Sequence, residues 1–323
     1  MNSTNENYGD QLQQASFETI AEREQYGEQL KQVAAIFIPL ALSLPQLRDD
    51  PSKMHESIKA TADSGITDVV TDADVYMQDE LKKQIATHHP DWQFWGEEGE
   101  DRITKYDNSK SFLFITDPIE GTNNFKARKD GNWGSVVSLV DISTKEPVVG
   151  LVADPINRRV YLGIKGGGAF VVDYTDDGSI ASFTDMPLQA EAPEFTYNNS
   201  PHFEPPLIEQ IERFFSLGNI LPDNPDADEL EKSRKRVTLQ TDESENTFVD
   251  PESGALEAVR NRGTIYFKTS SEMAAVFVIL NELGGKVSDA EGNAWTLGIH
   301  TLIASRDASD YDYLLGVYNS TLV

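Results

Sequence analysis

Apolar residues recur at every third or fourth position over parts of the chain, and this spacing predicts helices. Over residues 11–47 it predicts one or two amphipathic helices, ended by Pro45 and by the turn at residues 49–51. A second helix is expected over residues 74–87, and a third, stopped by two glycines, over residues 271–283.

Between these helical stretches, short apolar runs separated by turn residues predict strands. The predicted strands are residues 92–95, 111–116, 134–141, 148–153, 159–163 and 169–173. Their short connections suggest an antiparallel meander. The pattern breaks near residue 187, so we expect an N-terminal α+β half, 1–186, that carries the candidate site, and a C-terminal α/β half, 187–323, that completes the site and sets substrate choice.

Composition narrows the classes of function. The 323 residues include no cysteine, so a metal would be held by oxygen or imidazole. No signal peptide and no run of about 18 apolar residues is present, which predicts a cytoplasmic protein without a membrane partner. The formal net charge of −27 repels polyanions, so a nucleic-acid partner is not expected.

The most informative stretch follows the predicted strand 111–116. The strand delivers Asp117 to its end, Pro118 stiffens the turn, and Glu120 places a second carboxylate three residues further on. Together with the main-chain carbonyl of Ile119, these oxygens would form a partial shell for Mg²⁺. The alternative is an ordinary Asp-Pro turn.

Two further features accompany this turn. A helix that begins at Gly121 and Thr122 would direct unpaired N–H groups toward a phosphate, although Thr122 also suits a plain helix cap. Upstream, Glu97 and Glu98 directly follow a strand with bulky aromatic residues, and acids at 68–74 lead into the second predicted helix. Each of these acidic groups, taken alone, also fits a solvated turn or a helix N-terminus.

Taken in order, these stretches resemble the inositol monophosphatase family, within the superfamily that includes fructose-1,6-bisphosphatase. The similar segments are residues 68–74, 96–98, 117–125, 150–155, 166–170, 271–275 and 281–285. The resemblance spans about residues 58–295, and ordered matches are far more specific than any single one.

The resemblance implies a layered α/β/α/β/α sandwich and Mg²⁺-dependent hydrolysis of a phosphate monoester. It implies that Glu97, Asp117 and the Ile119 carbonyl hold one metal ion. A second ion would be held by Asp117, Glu120 and Glu272. The implied partner is a small phosphorylated metabolite, by default inositol monophosphate, and the implied assembly is a homodimer.

By the same resemblance, catalysis involves Glu97 together with Thr122, which is hydrogen-bonded near Asp74 and would orient the attacking water. The phosphate would be held at residues 121–123, that is Gly121, Thr122 and Asn123. Lys59 would correspond to a basic residue that the family often keeps near the site.

The chain departs from the family pattern at two ligands. Glu120 and Glu272 stand where the family has Asp, and each is longer by one methylene. Either the two longer side chains re-form a working site or accept Mn²⁺ instead, or the protein is a catalytically impaired phosphometabolite-binding protein. Within the enzyme class, the alternative substrates are 3′-phosphoadenosine-5′-phosphate and fructose 1,6-bisphosphate.

Overall fold

The computed structural model describes residues 16–61, 67–127, 133–188, 192–198, 254–266, 273–289, 291–298 and 302–321. Within this part of the chain the helices are α1 (Phe17–Arg23), α2 (Gly27–Leu42), α3 (Leu44–Asp49), α4 (Asp72–His88), α5 (Thr122–Lys126), α6 (Gly254–Arg260), α7 (Ala274–Glu282) and α8 (Ala308–Thr321). The strands are β1 (Glu56–Thr61), β2 (Thr67–Thr71), β3 (Trp92–Gly96), β4 (Phe112–Glu120), β5 (Gly134–Asp141), β6 (Glu146–Asp154), β7 (Arg159–Ile164), β8 (Gly168–Tyr174), β9 (Ile180–Asp185), β10 (Ala192–Asn198), β11 (Asn261–Tyr266), β12 (Lys286–Ser288) and β13 (Leu302–Ser305).

The N-terminal region forms the three helices α1, α2 and α3, where one or two were predicted. The difference arises at Pro45, which was expected to end the helical region but lies in the first turn of α3. The first turn of a helix has no intrahelical partner for its N–H groups, so a residue that lacks this donor is tolerated there.

The stretch Gly27–Asp49, formed by α2 and α3, is long and apolar enough to cross a membrane by length and composition alone. In the fold, however, it covers a sheet, and its inward side chains Leu30, Val33 and Phe37 are fully buried in the core. A core helix with one buried face passes the same test of length and composition.

The largest sheet has seven strands in the order β3-β4-β5-β6-β7-β8-β9. Pairing is antiparallel from β4 to β9, but β3 and β4 run parallel, so the prediction of a purely antiparallel meander was wrong at this edge. The reason is the connection of residues 97–111, which is long enough to carry the chain back to the start of a parallel neighbour.

Helices and sheets alternate in five layers. Helices α1, α2 and α4 cover one face of the large sheet, and α6 and α7 cover the other. Behind α6 and α7 lies a second sheet in the order β10-β11-β13-β12, and α8 packs on its outer side. The predicted α/β/α/β/α sandwich is therefore confirmed, while the division into halves at residue 187 stays a prediction.

Helix α7, between the two sheets, lies directly against the large sheet where two strands carry glycine. A Cβ on Gly150 would lie 2.6 Å from the main chain of Ala275, and one on Gly163 would lie 2.8 Å from the Cα of Ile279. These distances are shorter than real Cβ contacts, so α7 rests directly on the backbones of β6 and β7.

Of the other predicted elements, some correspond to observed ones and some lie outside the described residues. The helix predicted over residues 74–87 is α4, and the strand predicted over 134–141 is β5. The predicted helix 271–283 corresponds to α7, although residues 271 and 272 lie outside the described part of the chain. Residues 221–252, in which the sequence predicts a mobile connection, also lie outside it.

Candidate metal and phosphate site

Two acids lie on neighbouring strands at the point where β3 ends and its parallel pairing with β4 stops. Gly96 is paired with Thr116, and the N–H of Glu97 donates to the Thr116 carbonyl at 3.2 Å. The next residues along the two strands, Glu97 and Asp117, are therefore neighbours at one sheet edge. Asp117 is 5% exposed, and the side chain of Glu97 is 12% exposed.

The turn predicted after Asp117 is a β-bulge within β4. The ladder with β5 is regular up to Asp117, loses register, and resumes at Glu120 opposite Gly134. Inside the bulge, the Ile119 N–H donates to Asp117 Oδ1 at 3.1 Å. The strand thus runs further than predicted, because a bulge lets the chain change direction without leaving the sheet.

Glu120 is buried and faces the C-terminal half of the fold. Both of its carboxylate oxygens lie 3.2 Å from the backbone N–H of Ala255, in the first turn of α6. Ala255 is a contact of the site that sequence reasoning missed, because 135 positions separate the two residues and no motif marks the second.

Gly121 has a φ of 85°, a left-handed conformation that glycine adopts without strain, and it starts the short helix α5. Thr122 Oγ1 then lies 3.1 Å from Asp74 Oδ1 and 3.0 Å from the Ile119 carbonyl oxygen. A hydroxyl has one proton, so it can donate to either acceptor.

Asp74 is completely buried in the first turn of α4. Its Oδ2 accepts the backbone N–H of Thr71 at 2.8 Å and the Thr71 hydroxyl at 2.5 Å. These bonds occupy Oδ2 and leave Oδ1 facing Thr122. A buried carboxylate with several donors is held in one orientation, so the Asp74–Thr122 pair is a fixed part of the site.

Arg102 forms an ion pair with Glu97. Its Nε donates to the Glu97 carbonyl at 2.6 Å, and its Nη2 donates to Glu97 Oε1 at 3.2 Å. Sequence reasoning did not single out Arg102. The only signal was its position five residues after Glu97, in an otherwise acidic loop.

The structure therefore brings together Asp74 with Thr122, and Glu97 with Asp117, while Glu120 lies on the same bulge. Gly121 and Asn123 are half-buried at the start of α5. Two predicted residues cannot be placed in this way: Glu272 lies outside the described residues, and the side chain of Lys59 does too.

Three features decide whether these residues suit Mg²⁺. The donors are all oxygens, as a hard divalent ion requires. Asp117 and Glu97 are adjacent at one edge, which suits a partial shell. Among the described residues, however, no three Asp, Glu, His or Cys side chains form a complete ligand group. The described part of the chain thus supplies some of the ligands of a metal site, namely Glu97 and Asp117. Glu272, the acid predicted to complete the ligands of the second ion, lies outside the described residues.

Comparison with known proteins agrees with this picture. The model of the inositol monophosphatase family matches residues 29–318. Inositol monophosphatase 1 of Solanum lycopersicum is 33% identical over 117 residues, which cover 36% of this chain and 41% of that protein. The chain thus spans about two fifths of the length of this curated relative.

Solved structures share the fold at low identity. The extragenic suppressor protein suhB from Bartonella henselae has a TM-score of 0.63 and 19% identity, covering 90% of this chain and 98% of that one. An IMPase/NADP phosphatase complexed with Mg²⁺ and phosphate has a TM-score of 0.61 and 17% identity, covering 91% and 96%. With a family model that spans most of its length and a fold that agrees with that match, the chain belongs to the inositol monophosphatase family.

Proposed function

We propose that the chain is a metal-dependent hydrolase of phosphate monoesters, acting on a small phosphorylated polyol or sugar, with inositol monophosphate as the default substrate. The observation that carries the proposal is the buried Asp74–Thr122 hydrogen bond beside the strand edge that holds Glu97 and Asp117. Family membership supports the same class of reaction.

The proposed metal ligands are Glu97, Asp117 and the Ile119 carbonyl, with Mg²⁺ as the first choice of ion and Mn²⁺ as the second. A solved relative in fold is complexed with Mg²⁺ and phosphate, which supports the choice. When bound, such an ion neutralises phosphate charge and lowers the pKa of a coordinated water. The protein is itself strongly acidic, with a net charge of −27, so an anionic substrate needs this local positive charge.

Thr122 is proposed to orient the attacking water. When its hydroxyl proton is donated to Asp74 Oδ1, the oxygen of Thr122 presents its lone pairs to a neighbouring donor. Asp74 cannot turn away, because Thr71 holds its other oxygen. A water that donates to Thr122 Oγ1 would thus be fixed in position, which is the contribution expected of a positioned side chain.

The phosphate is proposed to bind at the start of α5. The left-handed Gly121 turns the chain so that the backbone around Thr122 and Asn123 begins a new element next to the bulge. Their N–H groups supply uncharged donors, which suits the transfer of a phosphoryl group, because that reaction depends mainly on positioning and electrostatic stabilisation. From the resemblance we also propose a cytoplasmic homodimer.

Phosphate release from the purified chain tests the proposal. We expect release from inositol 1-phosphate with Mg²⁺ or Mn²⁺, and none when EDTA is present. Replacing Thr122 with Val, which has the same shape without the hydroxyl, should lower kcat by about 10²-fold with little change in KM. The matched control is Thr87→Val, because Thr87 is an exposed threonine of α4 whose hydroxyl donates to the Lys83 carbonyl, away from the candidate site.

A substrate panel separates the alternatives. Fructose 1,6-bisphosphate and 3′-phosphoadenosine-5′-phosphate are the rival substrates, and the highest kcat/KM identifies the preferred class. If no ester on the panel is hydrolysed with either metal while calorimetry still detects ester binding, the chain is a phosphometabolite-binding protein and the hydrolase is excluded.

A further inference from the structure

The loop that carries Glu97 is held by a side chain that no motif marks. Gln78 lies on the inward face of α4 and is 3% exposed among apolar neighbours. A buried amide needs partners for both its donor and its acceptor. Gln78 finds the partners within residues 97–102, here called the acidic loop.

The amide of Gln78 forms hydrogen bonds with both backbone groups of Glu98. Its Nε2 donates to the Glu98 carbonyl at 2.8 Å, and its Oε1 accepts the Glu98 N–H at 2.8 Å. The same Nε2 lies 3.1 Å from Asp101 Oδ2. A neighbouring β-strand would bond the N–H and the carbonyl of one residue in the same way. The Gln78 amide therefore fixes the main chain at Glu98, directly after Glu97.

Glu97 is thereby held between two backbone anchors. On one side its own N–H donates to the Thr116 carbonyl in β4, and on the other side Glu98 is fixed by Gln78. Arg102 also contacts Glu97, but its side chain is 52% exposed, so it is more weakly held than the buried amide.

Gly96, the residue before Glu97, leaves the space that the Gln78 amide occupies. A Cβ on Gly96 would lie 2.4 Å from Cδ and Oε1 of Gln78, so a larger residue there would displace the amide. Gln78 also lies one turn after Asp74 on the same helix. Helix α4 therefore positions Thr122 through Asp74 and the acidic loop through Gln78.

We propose that Gln78 is a positioning residue for the metal ligand Glu97, acting by fixing the Glu98 main chain. The inference rests on the proposed function, in which Glu97 is a ligand. Groups that orient a ligand without touching the metal commonly change metal affinity or activity about 10- to 100-fold when replaced.

The test compares Gln78→Met, which is similar in length but cannot make these bonds, with Lys82→Met. Lys82 lies on the same helix and contacts the same Asp101 at 2.5 Å, yet it is half exposed and its ammonium group bonds to Asp101 rather than to the Glu98 main chain. We expect Gln78→Met to weaken Mn²⁺ binding in calorimetry, and to lower kcat, by about 10-fold, with little change in KM. Lys82→Met should match the wild type.

Two further measurements separate positioning from general damage. Hydrogen exchange at the Glu98 amide should accelerate in Gln78→Met, because its acceptor is gone, while exchange in β5 should not change. Gln78→Glu keeps an acceptor for that amide but loses the donor to the Glu98 carbonyl and Asp101, so the exchange rate at Glu98 should lie between those of the wild type and Gln78→Met. If Gln78→Met does not fold, Gly96→Ala provides a second way to displace the amide.

The outcomes are distinct. If the wild type hydrolyses phosphate and Gln78→Met binds Mn²⁺ equally well, the role of Gln78 is overturned while the proposed function stands. That role is equally overturned if Gly96→Ala, used in its place, leaves Mn²⁺ affinity unchanged. If the wild type neither binds Mn²⁺ nor releases phosphate, the proposed function fails, and the positioning role fails with it.

Discussion

Glu97 and Asp117 occupy their places because β3 and β4 are paired, whereas Glu120 meets the C-terminal half only where α6 packs against the large sheet. The first arrangement is local: two strand ends, one backbone hydrogen bond and one bulge determine it. The second joins residues 135 positions apart and depends on how the layers pack. The comparison suggests that the two sides of the site respond to different kinds of change.

The side of the site formed by β3 and β4, here called the N-terminal side, should stay folded when one of its acids loses its charge. The side formed by Glu120 and α6 is here called the C-terminal side. The role proposed for Asp117 depends on its carboxylate, while its backbone is fixed by the ladder with β5. On the C-terminal side, by contrast, the ion pair between Arg260 in α6 and Asp154 in β6, together with the contact of Glu120 with the backbone of α6, joins the layers.

The largest effect is expected for Asp117→Asn. The amide oxygen can still accept the Ile119 N–H, but the charge that would bind the metal is lost, so kcat/KM should fall by about 10³-fold. Thermal melting should remain close to that of the wild type. Asp107→Asn is the matched control, because Asp107 accepts the N–H of Ser109 in the same way but is exposed. A large loss of stability in Asp117→Asn would break the comparison.

The next effect concerns stability. Arg260 in α6 forms an ion pair with Asp154 at the end of β6, where Asp154 is 1% exposed. Burial lowers the pKa of Arg260 to about 10, which leaves it charged at neutral pH. Asp154→Asn leaves the half-buried Arg260 without its counter-charge and should lower the free energy of unfolding in urea by about 3 kcal/mol, the low end for a buried pair.

A double variant provides the control for this pair. Asp154→Leu combined with Arg260→Met replaces both charges by apolar groups, and should cost much less than Asp154→Asn alone. If the single variant is as stable as the wild type, the ion pair does not hold the two layers together, and the C-terminal side is not the charge-dependent one.

The smallest effect is expected for Glu120→Asp. The shorter side chain should lose its contact with the Ala255 N–H, so stability should fall by about 1–2 kcal/mol in urea unfolding. The released carboxylate should bind Mn²⁺ more tightly by calorimetry. Glu120→Gln, which keeps the length and an acceptor oxygen, should remain closer to the wild type in stability. Unchanged Mn²⁺ affinity in Glu120→Asp would show that the contact with α6 does not compete with metal binding.

The sequence predicted the elements whose pattern is local. Helix α4 follows from the spacing of its apolar residues, and β5 was predicted with its observed bounds. The acids of the candidate site were found by their order along the chain. The bulge at residues 117–120 was predicted only as a turn, because sequence shows that the chain bends there but not that the ladder resumes afterwards.

Contacts between separate elements could not be predicted from the sequence pattern. Alternation of apolar residues indicates a strand but not the direction of its partner, so the parallel pairing of β3 and β4 was missed. Gln78 looked like an ordinary polar position of a helix, and the role proposed for it depends on its bond to a loop 20 residues away. Ala255 carries no functional group beyond its backbone, so only the packing of α6 reveals it.

The glycines at positions 150 and 163 allow helix α7 to lie close to strands β6 and β7. Because α7 rests on bare backbone, even one methyl group at either position would lift the helix and the second sheet behind it away from the first. A larger residue at Gly150 or Gly163 would therefore widen the space between the two sheets at α7, and side chains of the second sheet would have to span a longer distance to reach the first.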